Sequence, residues 1–250
     1  MSFVLETRAL EKQFGGLKVT RELSLGITKG ARHALIGPNG AGKTTVINLL
    51  TGVLKPNGGR ILLEGSDITD LPVHKRVQRG LSRTFQINQL YADLTPRETI
   101  GLVVSERLGH GGDWWRRLGT RDDVNSEIAE NLSRFHLLDV MNEKTATLPY
   151  GKQRLLEIAV AIATRPRVLL LDEPAAGVPE GERHDILAAV EALPRDVTVL
   201  LIEHDMDLVF SFADRISVLV NGALLVDGAP DEVARDPRVK AVYLGEAADV

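Results

Sequence analysis

Residues 37–44 read Gly37-Pro38-Asn39-Gly40-Ala41-Gly42-Lys43-Thr44, a Gly-x4-Gly-Lys-Thr run that follows the apolar Ala34-Leu35-Ile36 and opens the helical run Thr45-Val46-Ile47-Asn48-Leu49-Leu50. Glycines at these positions let backbone amides turn toward an anion, and the helix start adds the positive end of its dipole. Lys43 is then spaced to reach the terminal phosphates of a nucleoside triphosphate, and the Thr44 hydroxyl suits a magnesium ion. Two further polar clusters end apolar runs: Asp172-Glu173-Pro174 after residues 168–171, and Glu203-His204-Asp205 after residues 197–202. Asp172 suits the second half of a phosphate-loop site, holding magnesium directly or through water. Glu173 is its neighbour, and successive side chains of a strand face opposite ways, so this carboxylate is available to orient or deprotonate an attacking water. His204 is spaced to reach the terminal phosphate, with a structural histidine as the alternative. Gln86, in Ser82-Arg83-Thr84-Phe85-Gln86, means little alone, because a glutamine at a strand end commonly just caps or solvates it.

The elements that must position these residues follow from the pattern. From about residue 31 onward, strand-like runs alternate with helical ones, which predicts an α/β domain with a largely parallel sheet. Ligands of such open sheets lie at the carboxyl ends of the strands, where both acidic clusters fall. The first 30 residues differ: 3–10, 17–20 and 22–28 alternate without helices, as an antiparallel sheet would. Residues 98–108 and 124–138 read as helices, so a helical subdomain over about 95–165, inserted in the α/β core of a single 250-residue domain, is expected. Leu155, Ile158, Ala159 and Ile162 share one helical face, on a helix expected to begin just after Gly151. Trp114-Trp115-Arg116-Arg117 reads as an amphipathic helix start with its tryptophans packed inward, with contact to the membrane surface or a partner as the alternative.

Composition narrows the classes. A chain of 250 residues with 44% hydrophobic content buries a substantial core. Net charge is -4, with 30 basic and 34 acidic side chains, so no global positive field draws it to nucleic acid. Lys75-Arg76 and Arg79 form only one short basic cluster. Zero cysteines exclude disulfides and thiolate metal sites. The amino-terminal apolar run is broken by Glu6, unlike a secretory signal, and apolar runs elsewhere are strand length, so any membrane role is expected to be peripheral.

The phosphate loop, Gln86, Leu148-Pro149-Tyr150-Gly151-Lys152-Gln153-Arg154, residues 169–174 and His204 occur in the order and approximate spacing of the ATP-binding cassette (ABC) ATPases, which nearly the whole chain resembles. The resemblance implies a P-loop NTPase cassette with a RecA-like parallel core, an N-terminal antiparallel β subdomain and a helical subdomain. It implies that Phe14 stacks on adenine and that the loop from Gly37 through Thr45 holds the phosphates of ATP. Thr44, Asp172 and Gln86 would surround Mg2+, with Glu173 as base and His204 sensing the terminal phosphate. Tyr150, Gly151 and Lys152, in the signature segment, would cap the nucleotide of a second cassette. Two departures stand out. Pro149 replaces the usual signature serine, losing both hydroxyl and amide hydrogen; Lys152 stands in place of the usual glutamine, where its charge is expected to offset part of that loss. Pro179 stands where the family commonly carries Asn or Asp.

Phe14-Gly15-Gly16-Leu17, Tyr150-Gly151, residues 173–177 and 202–206 and Tyr243-Leu244-Gly245-Glu246 are similar to the larger cytoplasmic ATPase of branched-chain amino acid importers. That implies two transmembrane permeases, a second ABC ATPase as homodimer or heterodimer partner, an extracytoplasmic solute-binding protein, and a place at the cytoplasmic face of the membrane. Importers of urea, amides or other amino acids look alike. A soluble ABC ATPase acting on nucleic acid or ribosomes usually carries coiled coils or two cassettes, and this chain has neither. A cassette that clamps ATP without turnover is favoured only by Pro149 and Pro179.

Overall fold

The structure, a computed structural model, describes residues 3–84, 90–110 and 122–246, apart from the side chains of 180 and 244–246. The described residues divide into two compact units, one drawn from 1–83, 167–173 and 194–250, the other from 84–166 and 174–193. In chain order the first unit contributes β1 (Phe3–Phe14), β2 (Leu17–Thr28), β3 (Arg32–Ile36), α1 (Lys43–Thr51), β4 (Gly58–Leu63), β5 (Ser66–Asp67), α2 (Val73–Gln78) and β6 (Leu81–Arg83). The second unit holds α3 (Pro96–Arg107), α4 (Asp122–Arg134) and α5 (Tyr150–Ala163), and, after β7 (Val168–Asp172) of the first, α6 (Glu180–Glu191). β8 (Thr198–Ile202), α7 (Met206–Phe212), β9 (Arg215–Val220), β10 (Ala223–Gly228), α8 (Pro230–Arg235) and α9 (Pro237–Glu246) complete the first unit.

The first unit contains two sheets. An antiparallel one runs β2-β1-β4-β5 and a larger one runs β10-β9-β3-β8-β7-β6. In the larger sheet, β9, β3, β8, β7 and β6 are parallel and β10 pairs antiparallel at the edge. Every residue of β3, β7 and β8 is buried, which is why these strands read as unbroken apolar runs. The N-terminal strands are longer than the sequence pattern suggests. Ala9 and Glu22 take left-handed backbone, with φ of 45° and 47°, and the register shifts on either side of Leu10. These bulges break the alternation while keeping Leu10 and Leu23 inside. The expected antiparallel sheet also recruits β4 and β5, with Leu5 paired to both Ile27 and Leu63.

In the second unit α3, α4, α5 and α6 pack together. Thr95 and Glu98 form a reciprocal cap, Glu98 N–H donating to Thr95 Oγ1 at 3.2 Å and Thr95 N–H to Glu98 Oε2 at 2.9 Å. The helix therefore starts at Pro96, two residues before the apolar pattern shows it. Val124, Ile128 and Leu132 are buried on one face of α4. That helix ends at Arg134, short of 138, because His136 turns left-handed at φ 51°.

Candidate active site

Neighbouring strands β3, β8, β7 and β6 carry at their carboxyl ends the phosphate loop, Glu203-His204, Asp172-Glu173 and Arg83. Parallel pairing sets Ile202 opposite both Leu35 and Asp172, so residues far apart in the chain arrive at one edge of the sheet.

The loop is shaped by its glycines. Gly42 sits at φ 103°, and a Cβ there would lie 2.9 Å from the Val19 carbonyl; a Cβ on Gly37 would lie 2.1 Å from that of Leu219. Only glycine lets β2 and β9 approach this closely. Gly42 caps α1 without a side-chain hydrogen bond, and an uncapped helix start presents backbone amides to an anion. Lys43 Nζ donates to the carbonyls of Gly37 at 2.5 Å and Pro38 at 3.0 Å, which places its charge across the loop. Thr44 is exposed, as are Asn39 and Gly40; Thr45 and Pro38 are half-buried and Ala41 is buried.

Asp172, last residue of β7, is 3% exposed. Burial pushes its carboxyl above the ordinary range, opposed by Arg83 and Lys43. Arg83 Nη2 donates to Asp172 Oδ2 at 2.8 Å. Glu173 does not continue the strand: its φ is 48°, and its N–H donates to the Ile202 carbonyl at 2.9 Å. A left-handed turn, and not continued strand alternation, therefore sets the direction of its side chain. His204 Nδ1 lies 3.8 Å from Glu173 Oε1 and 3.7 Å from Glu203 Oε2, while its side chain stays 69% exposed. Glu203 is buried, accepts from the His204 amide at 3.1 Å and has its carboxyl pushed up by that burial. Glu203 and Arg83 carry no sign of a role in the sequence, since only the strand order brings them to the site.

Phe14 is 46% exposed at the end of the β1–β2 hairpin, with Lys12 Nζ 5.2 Å from its ring centre. Gln86, Trp114 and Trp115 lie outside the described residues. In the second unit, Pro149 and Pro179 are the residues immediately before α5 and α6, positions whose extended backbone suits proline. Gly151 N–H donates to Glu182 Oε2 at 2.9 Å, so a carboxylate of this chain sits at the start of α5. Lys152 Nζ donates to the His136 carbonyl and to Asp139 Oδ1; its charge is already partnered within the unit. Tyr150 stacks under Arg154, whose guanidinium is 5.2 Å from the ring centre. A cavity of about 420 Å³ opens beside them, lined by His136, Pro149, Gly151, Lys152, Leu155, Glu182 and Asp185.

A glycine loop opening a helix, with a buried aspartate and a turned glutamate two strands away, defines a phosphate-loop nucleotide-hydrolysing cassette. Residues 20–176 match the ABC transporter family model, and residues 223–249 match that of the branched-chain amino acid ATP-binding cassette transporter. The chain belongs to the ABC transporter family, among its ATP-binding ATPase subunits. It is 41% identical over 253 residues to the high-affinity branched-chain amino acid transport ATP-binding protein BraF of Pseudomonas aeruginosa, covering 98% of each chain. It is 38% identical to LivG of Escherichia coli, again over 98% of each. The crystal structure of an ABC-transporter ATP-binding cassette in its ADP conformation superimposes with a TM-score of 0.84 at 31% identity, covering 98% of this chain and 100% of that one. The expected family and α/β cassette fold are thus met.

Proposed function

We propose that this chain binds and hydrolyses ATP at the loop and carboxylate site and so energises a membrane importer of branched-chain amino acids. The match of residues 223–249 to the branched-chain cassette model carries the substrate assignment, and the full-length similarity to BraF and LivG supports it. Lys43 and the amides of residues 37–45 hold the phosphates, and Phe14 stacks on adenine. The donor set fits magnesium: Thr44, Asp172 and Gln86 offer hard oxygens. No cluster of three His, Cys, Asp or Glu occurs among the described residues, in keeping with an ion that shares its coordination with substrate phosphates and water. When bound with ATP, the ion supplies charge neutralisation on the phosphates. Glu173 orients the attacking water and takes its proton; His204, beside it, reaches toward the terminal phosphate. Tyr150, Gly151 and Lys152 face the nucleotide of a second cassette.

The partners in this reading are two permeases, a second ABC ATPase and, through the permeases, a solute-binding protein, with the chain held at the cytoplasmic membrane face. Among the described residues no helix is long and apolar enough to cross a membrane; in this reading the permeases hold the chain at the membrane. Uptake of labelled leucine, isoleucine and valine by host cells lacking this chain tests the reading. Wild type restores uptake. Glu173→Gln keeps ATP binding and loses about 10²- to 10⁴-fold of phosphate release, the usual value of a positioned base, and uptake with it. Restoration of urea uptake alone would overturn the amino acid assignment.

A further inference from the structure

Arg83 occupies a costly position. Its side chain is 9% exposed and that of its partner Asp172 3%, and a buried guanidinium is tolerated only when its donors are satisfied. Its two terminal nitrogens are satisfied from two different elements. Nη2 donates to Asp172 Oδ2 on β7 at 2.8 Å, and Nη1 donates to Asn48 Oδ1 on α1 at 2.7 Å. Asn48 is four residues beyond Thr44 on α1, so the two share a helix face. One planar fork therefore ties the strand that ends in Asp172 to the helix that carries Thr44. Lysine, a single point charge on a flexible stem, does not reproduce a rigid two-armed fork.

We propose that Arg83 is a positioning residue for the magnesium side of the reaction: it fixes the Asp172 carboxylate against the phosphate-loop helix, holding the donors Asp172 and Thr44 in register. The inference rests on the reading above in which those two residues hold the ion. Residues that orient metal ligands by hydrogen bonding are typically worth about 10- to 100-fold in metal affinity, and Arg83 is expected in that range. Lys43 and the loop amides hold the nucleotide independently, so metal-free ATP binding should stay within about 3-fold, well inside that range.

The test is Mn2+ binding to the ATP-loaded full chain, read by electron paramagnetic resonance, beside ATP binding in EDTA. In Arg83→Met the Mn2+ concentration for half-saturation rises about 10-fold or more, while ATP binding in EDTA is retained. Arg83→Lys falls between, and Asn48→Ala shifts Mn2+ binding the same way by less, since it frees the fork from α1 only. If Arg83→Met does not fold, as a thermal melt would show, the Lys and Asn48 variants carry the test. Asp172→Asn separates the two levels. If it leaves Mn2+ binding unchanged, the assignment of Asp172 to the ion is wrong. If it weakens Mn2+ binding but the Arg83 and Asn48 variants do not, the pair is merely structural and the inference falls. Tighter Mn2+ binding in Arg83→Met would also overturn it, by making Arg83 a competitor of the ion.

Discussion

Glu173 holds a backbone conformation that a side chain makes expensive. At φ 48° a non-glycine residue costs roughly 1–3 kcal/mol, and that strain is maintained at the residue proposed to act on water. The sheet over-determines it, with Glu173 N–H bonded to Ile202 of the neighbouring strand. Glu173→Gly should therefore raise stability by about 1 kcal/mol, after allowing for glycine's greater unfolded freedom, while phosphate release is lost. Chemical denaturation run beside a phosphate assay reads both, and a destabilised variant would show that the strain is absent. At this scale the sequence was informative where chemistry is local. Lys43, Asp172 and Glu173 stand out in the sequence because a loop or a run of apolar residues frames each one. Arg83 and Glu203 do not, because their meaning depends on β6 lying beside β7 and β8 beside both carboxylates.

The element that presents Lys43 and Thr44 is secured at its far end by a second buried arginine. Arg76 is 1% exposed and spends its donors on carbonyls: Nη1 on Leu49 and Leu50 at 2.7 and 2.6 Å, Nη2 on Thr69 at 2.7 Å, Nε on Leu71 at 2.9 Å. Leu49 and Leu50 belong to the last turn of α1, whose carbonyls lack helical partners and carry the negative end of the dipole. Gly52 makes room, since a Cβ there would lie 2.8 Å from Arg76 Nε. Arg76→Met leaves those carbonyls buried without donors and should cost about 3 kcal/mol, seen as a lower denaturation midpoint; a change under about 0.5 kcal/mol, the range of an ordinary surface site, would contradict the role. In the sequence Lys75-Arg76 and Arg79 read only as one short basic cluster. Charge type alone did not reveal a residue turned inward, whereas the cap Thr95-Pro96-Arg97-Glu98 was readable in principle and places the start of α3.

Across the whole molecule, the parallel core was legible from strands buried on both faces, and the early antiparallel hairpin from its alternation. Strand order, the recruitment of β4 and β5 and the grouping of residues 174–193 with the second unit arise from pairings between distant segments, which no local pattern encodes. One such pairing bears on the response to acid. His33 on β3 is fully buried, with Nε2 2.8 Å from Ser217 Oγ on β9 and 4.0 Å from Asp227 Oδ1 on β10. Burial lowers its pKa from 6.5 to about 4, Asp227 opposing and Arg215 assisting. A folded pKa below the unfolded one contributes stability that is complete above pH 6.5 and is lost as pH falls toward 4. The full effect is roughly 3 kcal/mol at about 1.4 kcal/mol per pKa unit. His33→Gln should flatten the fall in melting temperature across that window; an unchanged slope would assign the acid sensitivity to other groups.

The membership of this chain in the ABC transporter family makes its partners the decisive observation. The most direct measurement is to tag the full chain in its own host, solubilise the membranes gently and identify what copurifies with Glu173→Gln in the presence and absence of ATP. Two permease chains and a second ABC ATPase, from an assembly whose solute-binding protein takes branched-chain amino acids, are the predicted result. Recovery of only soluble or nucleic-acid partners would contradict the account and leave an ATPase with a different task.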